Sequence, residues 1–234
     1  MVCGELGVYP LDICIKCKML CFWSRLITGK HSKLSYVMYQ CLFHFDGLGL
    51  YTSPWIASVK NLLNDCGMSG IWLAQNVPNT LWFKMAVQRK LMDQWISTWY
   101  HDLSTNAICN SYNTFKGVYE LETYLTKLTK SSRILLTRFR TCNNRLPVNV
   151  GRCTGVNREE RICNLCNDNA IADEFHVLLK CSNEELVRWR AMYVPSYYTH
   201  RPTIFKFVEL MQNANVEILT NLSKFIKLIM GKFR

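Results

Sequence analysis

The most constraining stretch of this chain lies between Cys163 and Cys181, which reads C-N-L-C-N-D-N-A-I-A-D-E-F-H-V-L-L-K-C. A Cys-x2-Cys pair (Cys163, Cys166) is followed after nine residues by His176 and after four more by Cys181. Two thiolates so close in sequence bracket a tight turn that can aim both sulfurs at one ion. The histidine and last cysteine can lie on one face of a helical turn or on either side of a helix start. Together the four side chains supply the tetrahedral N/S set of a closed structural Zn2+ site, with no position left for water. Such a site stabilises the fold around it and does no chemistry of its own. The alternative is a group of buried thiols and one core histidine. Cys142 and Cys153 are near enough in sequence to substitute for a ligand.

Cys14, Cys17 and Cys21 repeat the Cys-x2-Cys spacing but have no fourth partner nearby, and they fit an apolar helix stripe. Core packing is the simpler account. A redox dithiol would need a strand before the helix, which the pattern lacks. Twelve cysteines in a 234-residue chain suit a reducing, intracellular compartment, cytoplasm or nucleus, where thiols persist and can hold metal. No apolar run is long enough for a membrane span and no signal peptide is evident. The sequon Asn221-Leu222-Ser223 is then incidental.

Apolar residues recur at three and four positions, which predicts a mainly α protein: a multi-helix assembly followed by a small zinc-stapled helical module. Helices are expected from Pro10 to about Gly29, with Leu11, Ile15, Met19, Phe22, Trp23 and Leu26 inward, and from Ser32 to Phe45. A third is expected from Ser53-Pro54, a good cap and first residue, to Gly67, burying Ile56, Val59, Leu62 and Leu63. A fourth runs from Thr80 to Tyr100, where Trp82, Met85, Ala86, Arg89, Leu91, Met92, Trp95 and Trp99 form a broad core face. Residues 101–118 are polar and turn-rich, and separate an N-terminal helical region (1–105) from a basic helical region (118–234) that contains the zinc module (158–190). Further helices are expected over Ser131–Cys142, Asn183–Tyr193, Pro202–Gln212 and Val216–Phe233. The last has an apolar stripe that completes a core, or else meets a membrane or partner.

The formal charge of +11 is unevenly spread: residues 118–234 hold 18 Lys and Arg against 11 Asp and Glu. Between Lys127 and Arg161 nine basic residues face only two acidic ones, Glu159 and Glu160. In the helix after Ser131, Ile134, Leu135 and Phe139 are expected inward and Arg133, Arg138 and Arg140 outward. Arg133, Arg138, Arg140, Arg145, Arg152, Arg158, Arg161 and Lys180 are therefore the candidate phosphate contacts for RNA or DNA. A merely solvated basic face is the plainer alternative. No two aspartates are adjacent, no glycine-rich phosphate loop occurs, and His31, His44, His101 and His200 have no evident nucleophile or carboxylate partner, so no enzymatic activity is expected.

Several strings carry a family resemblance: G-E-L-G-V-Y-P-L-D-I, V-K-N-L-L-N-D-C-G-M-S-G-I-W and L-L-T-R-F-R-T-C-N-N-R-L-P. R-L-P-V-N-V-G-R-C-T-G-V-N-R-E-E-R-I-C-N-L-C follows, continuing through A-D-E-F-H-V-L-L-K-C. Together they resemble the C-terminal region of reverse transcriptases from non-LTR, LINE-like retrotransposons, over nearly the whole chain and most specifically over residues 133–181. The resemblance implies a region lying after an endonuclease and an RNA-directed DNA polymerase domain, a truncated or decayed copy without the polymerase's catalytic aspartates. It also implies a Cys-Cys-His-Cys module that helps hold template RNA or target DNA. Cys14, Cys17 and Cys153 stand where bulkier or basic residues are expected of the family. Two readings compete with this one: a zinc-stapled module that binds proteins, through the Val216–Phe233 stripe or the Thr80–Tyr100 helix, and a relic without function.

Overall fold

The computed structural model describes residues 1–29, 33–106 and 110–233; Ser32, expected to open the second helix, and His31 lie outside them. The described residues are mainly helical. In chain order the α-helices are α1 (Val2–Leu6), α2 (Leu11–Ile27), α3 (Leu34–Gly47), α4 (Pro54–Asp65), α5 (Ser69–Ala74), α6 (Thr80–Thr105) and α7 (Asn110–Phe115). There follow α8 (Tyr124–Lys127), α9 (Lys130–Arg140), α10 (Pro147–Cys153), α11 (Glu184–Tyr193), α12 (Ser196–Thr199), α13 (Ile204–Met211) and α14 (Val216–Lys232). A 3-10 turn at Arg158–Glu160 and a π-helix at His176–Lys180 precede α11.

The chain forms two compact bodies, Tyr9–Thr98 and Met1–Val8 with Trp99–Arg234. The polar stretch 101–118 thus falls inside the second body, where Asn110–Phe115 is helical and buries Tyr112 and Phe115. The first eight residues belong to the second body because Glu5 is buried there: its carboxylate receives Arg140 Nε and Nη2, each at 3.0 Å.

In the first body, α4 follows its sequence signals closely. Ser53 Oγ accepts the Ile56 N–H at 3.2 Å, Pro54 opens the helix, and Ile56, Val59, Leu62 and Leu63 are buried. Gly67 ends it at φ 72°, a left-handed conformation that costs glycine nothing. The inward face of α2 differs from the expected one: Ile13, Cys17, Leu20, Trp23 and Ile27 are buried, while Leu11 is 73% exposed and Ile15 and Phe22 also face outward. Trp23 anchors that face, donating its indole N–H to Tyr39 Oη at 3.0 Å and packing on Trp72 and Phe83. In the part of α6 that belongs to this body the buried residues are Phe83, Val87 and Leu91, leaving Trp82 (55%) and Met85 (63%) exposed; Trp99, as expected, is buried, within the second body. Cys17 packs in the core, Cys21 is half-buried and Cys14 is exposed, so only part of the cysteine trio serves packing.

In the second body α9 and α11 pack on α14. The α14 stripe completes this core: Leu219, Leu222, Phe225, Ile226 and Ile229 are all buried. Each such side chain contributes about 1.5–3 kcal/mol on leaving water. Thr129 caps α9, which buries Leu136 and Phe139 but leaves Ile134 exposed, against the expectation that it points inward.

Candidate metal centre

Each of the four predicted ligands is positioned by local backbone. An isolated antiparallel bridge pairs Ile162 with Ile171. Cys163 N–H donates to Ala170 O at 2.8 Å, and Ala172 N–H to Arg161 O at 2.9 Å. The loop between them carries Cys163 and Cys166 on its first half and turns through Asn169 in a left-handed conformation (φ 49°), which asparagine tolerates well. Asp173 Oδ1 then accepts the His176 backbone N–H at 2.9 Å.

From His176 the chain winds as one wide π-turn, and Cys181 N–H bonds back to His176 O at 2.7 Å. This i to i+5 closure explains the spacing. An α-helix would rotate residues five apart away from each other, whereas a π-turn brings His176 and the residue that follows it at 181 to the same side.

The ligand atoms of Cys163, Cys166, His176 and Cys181 all lie within 4.8 Å of one another. Cys163 Sγ and Cys181 Sγ are 3.8 Å apart, far beyond a disulfide bond, and Cys166 Sγ is 3.4 Å from His176 Nε2. A tetrahedral ion with metal–sulfur and metal–nitrogen bonds of the lengths zinc prefers has S–S edges of about 3.8 Å and S–N edges of about 3.5 Å. The quartet therefore fits a single metal ion. Neither Cys142 nor Cys153 joins it.

Burial raises the Cys163 thiol and pushes that of Cys181 up to about 12, while it lowers His176 below its ordinary value. Burial penalises the charged form in each case. The imidazole is thus held neutral, as a ligand must be, and the thiols need a cation to become thiolates, so metal binding would release protons.

The support around the quartet comes from residues the ligand spacing does not reveal. Arg190 is buried, and its guanidinium donates to Leu178 O at 2.8 Å, Cys181 O at 3.0 Å and Val177 O at 3.5 Å. It thereby satisfies carbonyls that a lone π-turn leaves without helical partners. Asp168 receives Ser182 Oγ at 2.7 Å and Ser182 N–H at 3.2 Å, tying the cysteine loop to the residue after Cys181. Asn183 caps α11 through Leu186 N–H and donates to Leu165 O at 3.0 Å. Only the Asn183 cap had a sequence signal, an asparagine immediately before two glutamates.

No protein-family model, curated protein or solved structure matches this chain.

The eight candidate phosphate contacts divide three ways. Arg138, Arg145 and Lys180 are exposed. Arg133, Arg152, Arg158 and Arg161 are half-buried and engaged within the fold: Arg133 with Leu125 O, Arg152 with Asn149 Oδ1, Arg158 with Asp173 and Arg161 with the Val148 and Val156 carbonyls. Gly151 makes room for the Arg161 stem, since a Cβ there would sit 2.8 Å from Arg161 Cγ. Arg140 is not outward at all. It is 1% exposed, ion-paired with Glu5 and Glu122, and stacked over the Phe115 and Tyr124 rings at 4.7 and 5.2 Å. A buried guanidinium held this way has no donor to offer a phosphate.

Proposed function

We propose that the metal is a single structural zinc ion and that the second body is a zinc-stapled nucleic-acid-binding module, the C-terminal part of a LINE-like retrotransposon reverse transcriptase. One observation carries the reading: four N/S ligand atoms gather within 4.8 Å of one another on the same body that keeps Arg138, Arg145 and Lys180 exposed. A closed Cys3His set leaves no coordination position for substrate, so zinc's part is to fix the 158–190 segment. The chain's own residues then hold nucleic acid through phosphates, which confers affinity without sequence preference. The reading contains no catalytic step in this chain.

The test is elemental analysis of the purified chain together with binding to RNA and DNA at increasing salt. One zinc per chain and a steep loss of affinity with salt are expected. Absence of zinc, or binding that does not respond to salt, removes the proposal.

A protein-binding role is the second reading, favoured by the exposed Leu81, Trp82 and Met85 on α6. The α14 stripe does not add to it, being core. Retention of a protein partner by wild type but not by Trp82→Ser would support it.

A further inference from the structure

Within the second body α9, α11 and α14 enclose a groove of about 930 Å3. Its lining includes five cationic side chains, Arg138, Arg145, Lys224, Lys227 and Lys232, and the aromatic rings of Trp189 and Tyr193. Among the described residues no carboxylate lines it. Glu185, which is not part of the lining, pairs with Lys232, whose ammonium also sits 5.5 Å from the centre of the Trp189 ring. Arg138, Arg145, Lys224 and Lys227 take part in none of the ion pairs among the described residues; Lys224 makes only a 3.4 Å contact with Asn221.

Four uncompensated cations around one concave surface repel each other, and the groove's potential favours a polyanion. A groove bordered by both cations and aromatic rings suits an occupant that alternates phosphate charge with flat apolar rings. Single-stranded nucleic acid has this composition, and its unpaired bases expose the π-faces that a duplex keeps stacked. A membrane surface would call for cations on a convex face, and an acidic peptide would leave the rings without flat partners.

We propose that this groove seats a single strand of RNA or DNA, its phosphates against Arg138, Arg145, Lys224 and Lys227 and its bases against Trp189 and Tyr193. The proposal rests on the nucleic-acid-binding reading and moves its centre from the arginine-rich run before the cysteines to the face where α14 meets α9. Lys224 and Lys227 project from α14 beside its buried stripe, so they can be exchanged without disturbing the core.

The experiment is fluorescence anisotropy of the zinc-loaded full chain with a short single-stranded oligonucleotide, and with a duplex of the same length. The paired substitution Lys224→Glu and Lys227→Glu should weaken single-strand binding at least about tenfold, while zinc content and circular dichroism stay as in wild type. Neutralising the two lysines by Lys→Gln should reduce the slope of log affinity against log salt by about 1.4, because each phosphate that a cation neutralises on a single strand accounts for ~0.7 of that slope. Lys→Arg at both positions should restore binding. Tyr193→Phe should bind as wild type, whereas Tyr193→Leu should be weaker. If wild type binds and the Lys→Glu pair binds equally well, the groove assignment is wrong and the broader function stands. If the duplex binds more tightly, or polyglutamate competes as well as the oligonucleotide, the single-strand assignment is overturned. If wild type binds no nucleic acid at all, the proposed function fails and the groove with it.

Discussion

Arg140 and Glu5, 135 positions apart in sequence, face each other through two N–H to oxygen contacts of 3.0 Å, both side chains essentially removed from solvent. Glu122 forms an ion pair with Arg140 Nη2 at 3.1 Å, and Lys116 pairs with Glu122, so two carboxylates and two cations neutralise one another inside the second body. Tyr124 adds its hydroxyl to Glu5 at 2.5 Å. The fold thus uses as an internal strut an arginine that stands within a basic run.

Breaking this strut leaves an uncompensated buried charge. Arg140→Met or Glu5→Gln should lower stability by about 3–5 kcal/mol, and Arg140→Lys should not recover it, because an ammonium lacks the planar fork. Urea unfolding of the zinc-loaded protein measures this. The salt slope of nucleic-acid binding should stay at its wild-type value in any variant that remains folded.

Metal removal should have a local effect. Structural zinc supplies about 10–16 kcal/mol of apparent binding free energy at neutral pH in isolated peptides, so Cys163→Ser or His176→Ser should abolish stoichiometric zinc. Amide hydrogen exchange should accelerate across 158–190. Full zinc content in either variant would refute the ligand set.

Arg190 tests whether the wide turn between His176 and Cys181 needs its brace. Arg190→Met keeps the apolar stem but leaves the Leu178 and Cys181 carbonyls without their partner. Zinc affinity should fall about 10–100-fold, the cost expected when outer support at a metal site is removed. Competition with a zinc-binding dye reads this directly, and Arg190→Met with wild-type affinity would show that the turn holds itself.

The first body offers a separate check. Ser53→Ala removes the oxygen that accepts Ile56 N–H and should cost about 1 kcal/mol, whereas Ser53→Asp should retain most of the stability. Chemical denaturation should show this loss with metal content unchanged.

Local chemistry determined what could be read directly from the chain. The intervals between Cys163, Cys166, His176 and Cys181 depend on a short stretch of backbone, and Ser53-Pro54 signals a helix start by itself. The α14 stripe was legible because polar residues border it on both sides. Tertiary structure decided which faces turn inward on α2 and α6. These helices have apolar side chains around most of their circumference, so periodicity offers several candidate faces and packing around Trp23 and Phe83 selects one. It also decided the fate of the arginines: whether a guanidinium meets water or a carboxylate depends on a partner such as Glu5, brought close only by the fold. The groove between α9 and α14 has the same origin, since Arg138, Tyr193 and Lys227 share a surface only once the helices have packed.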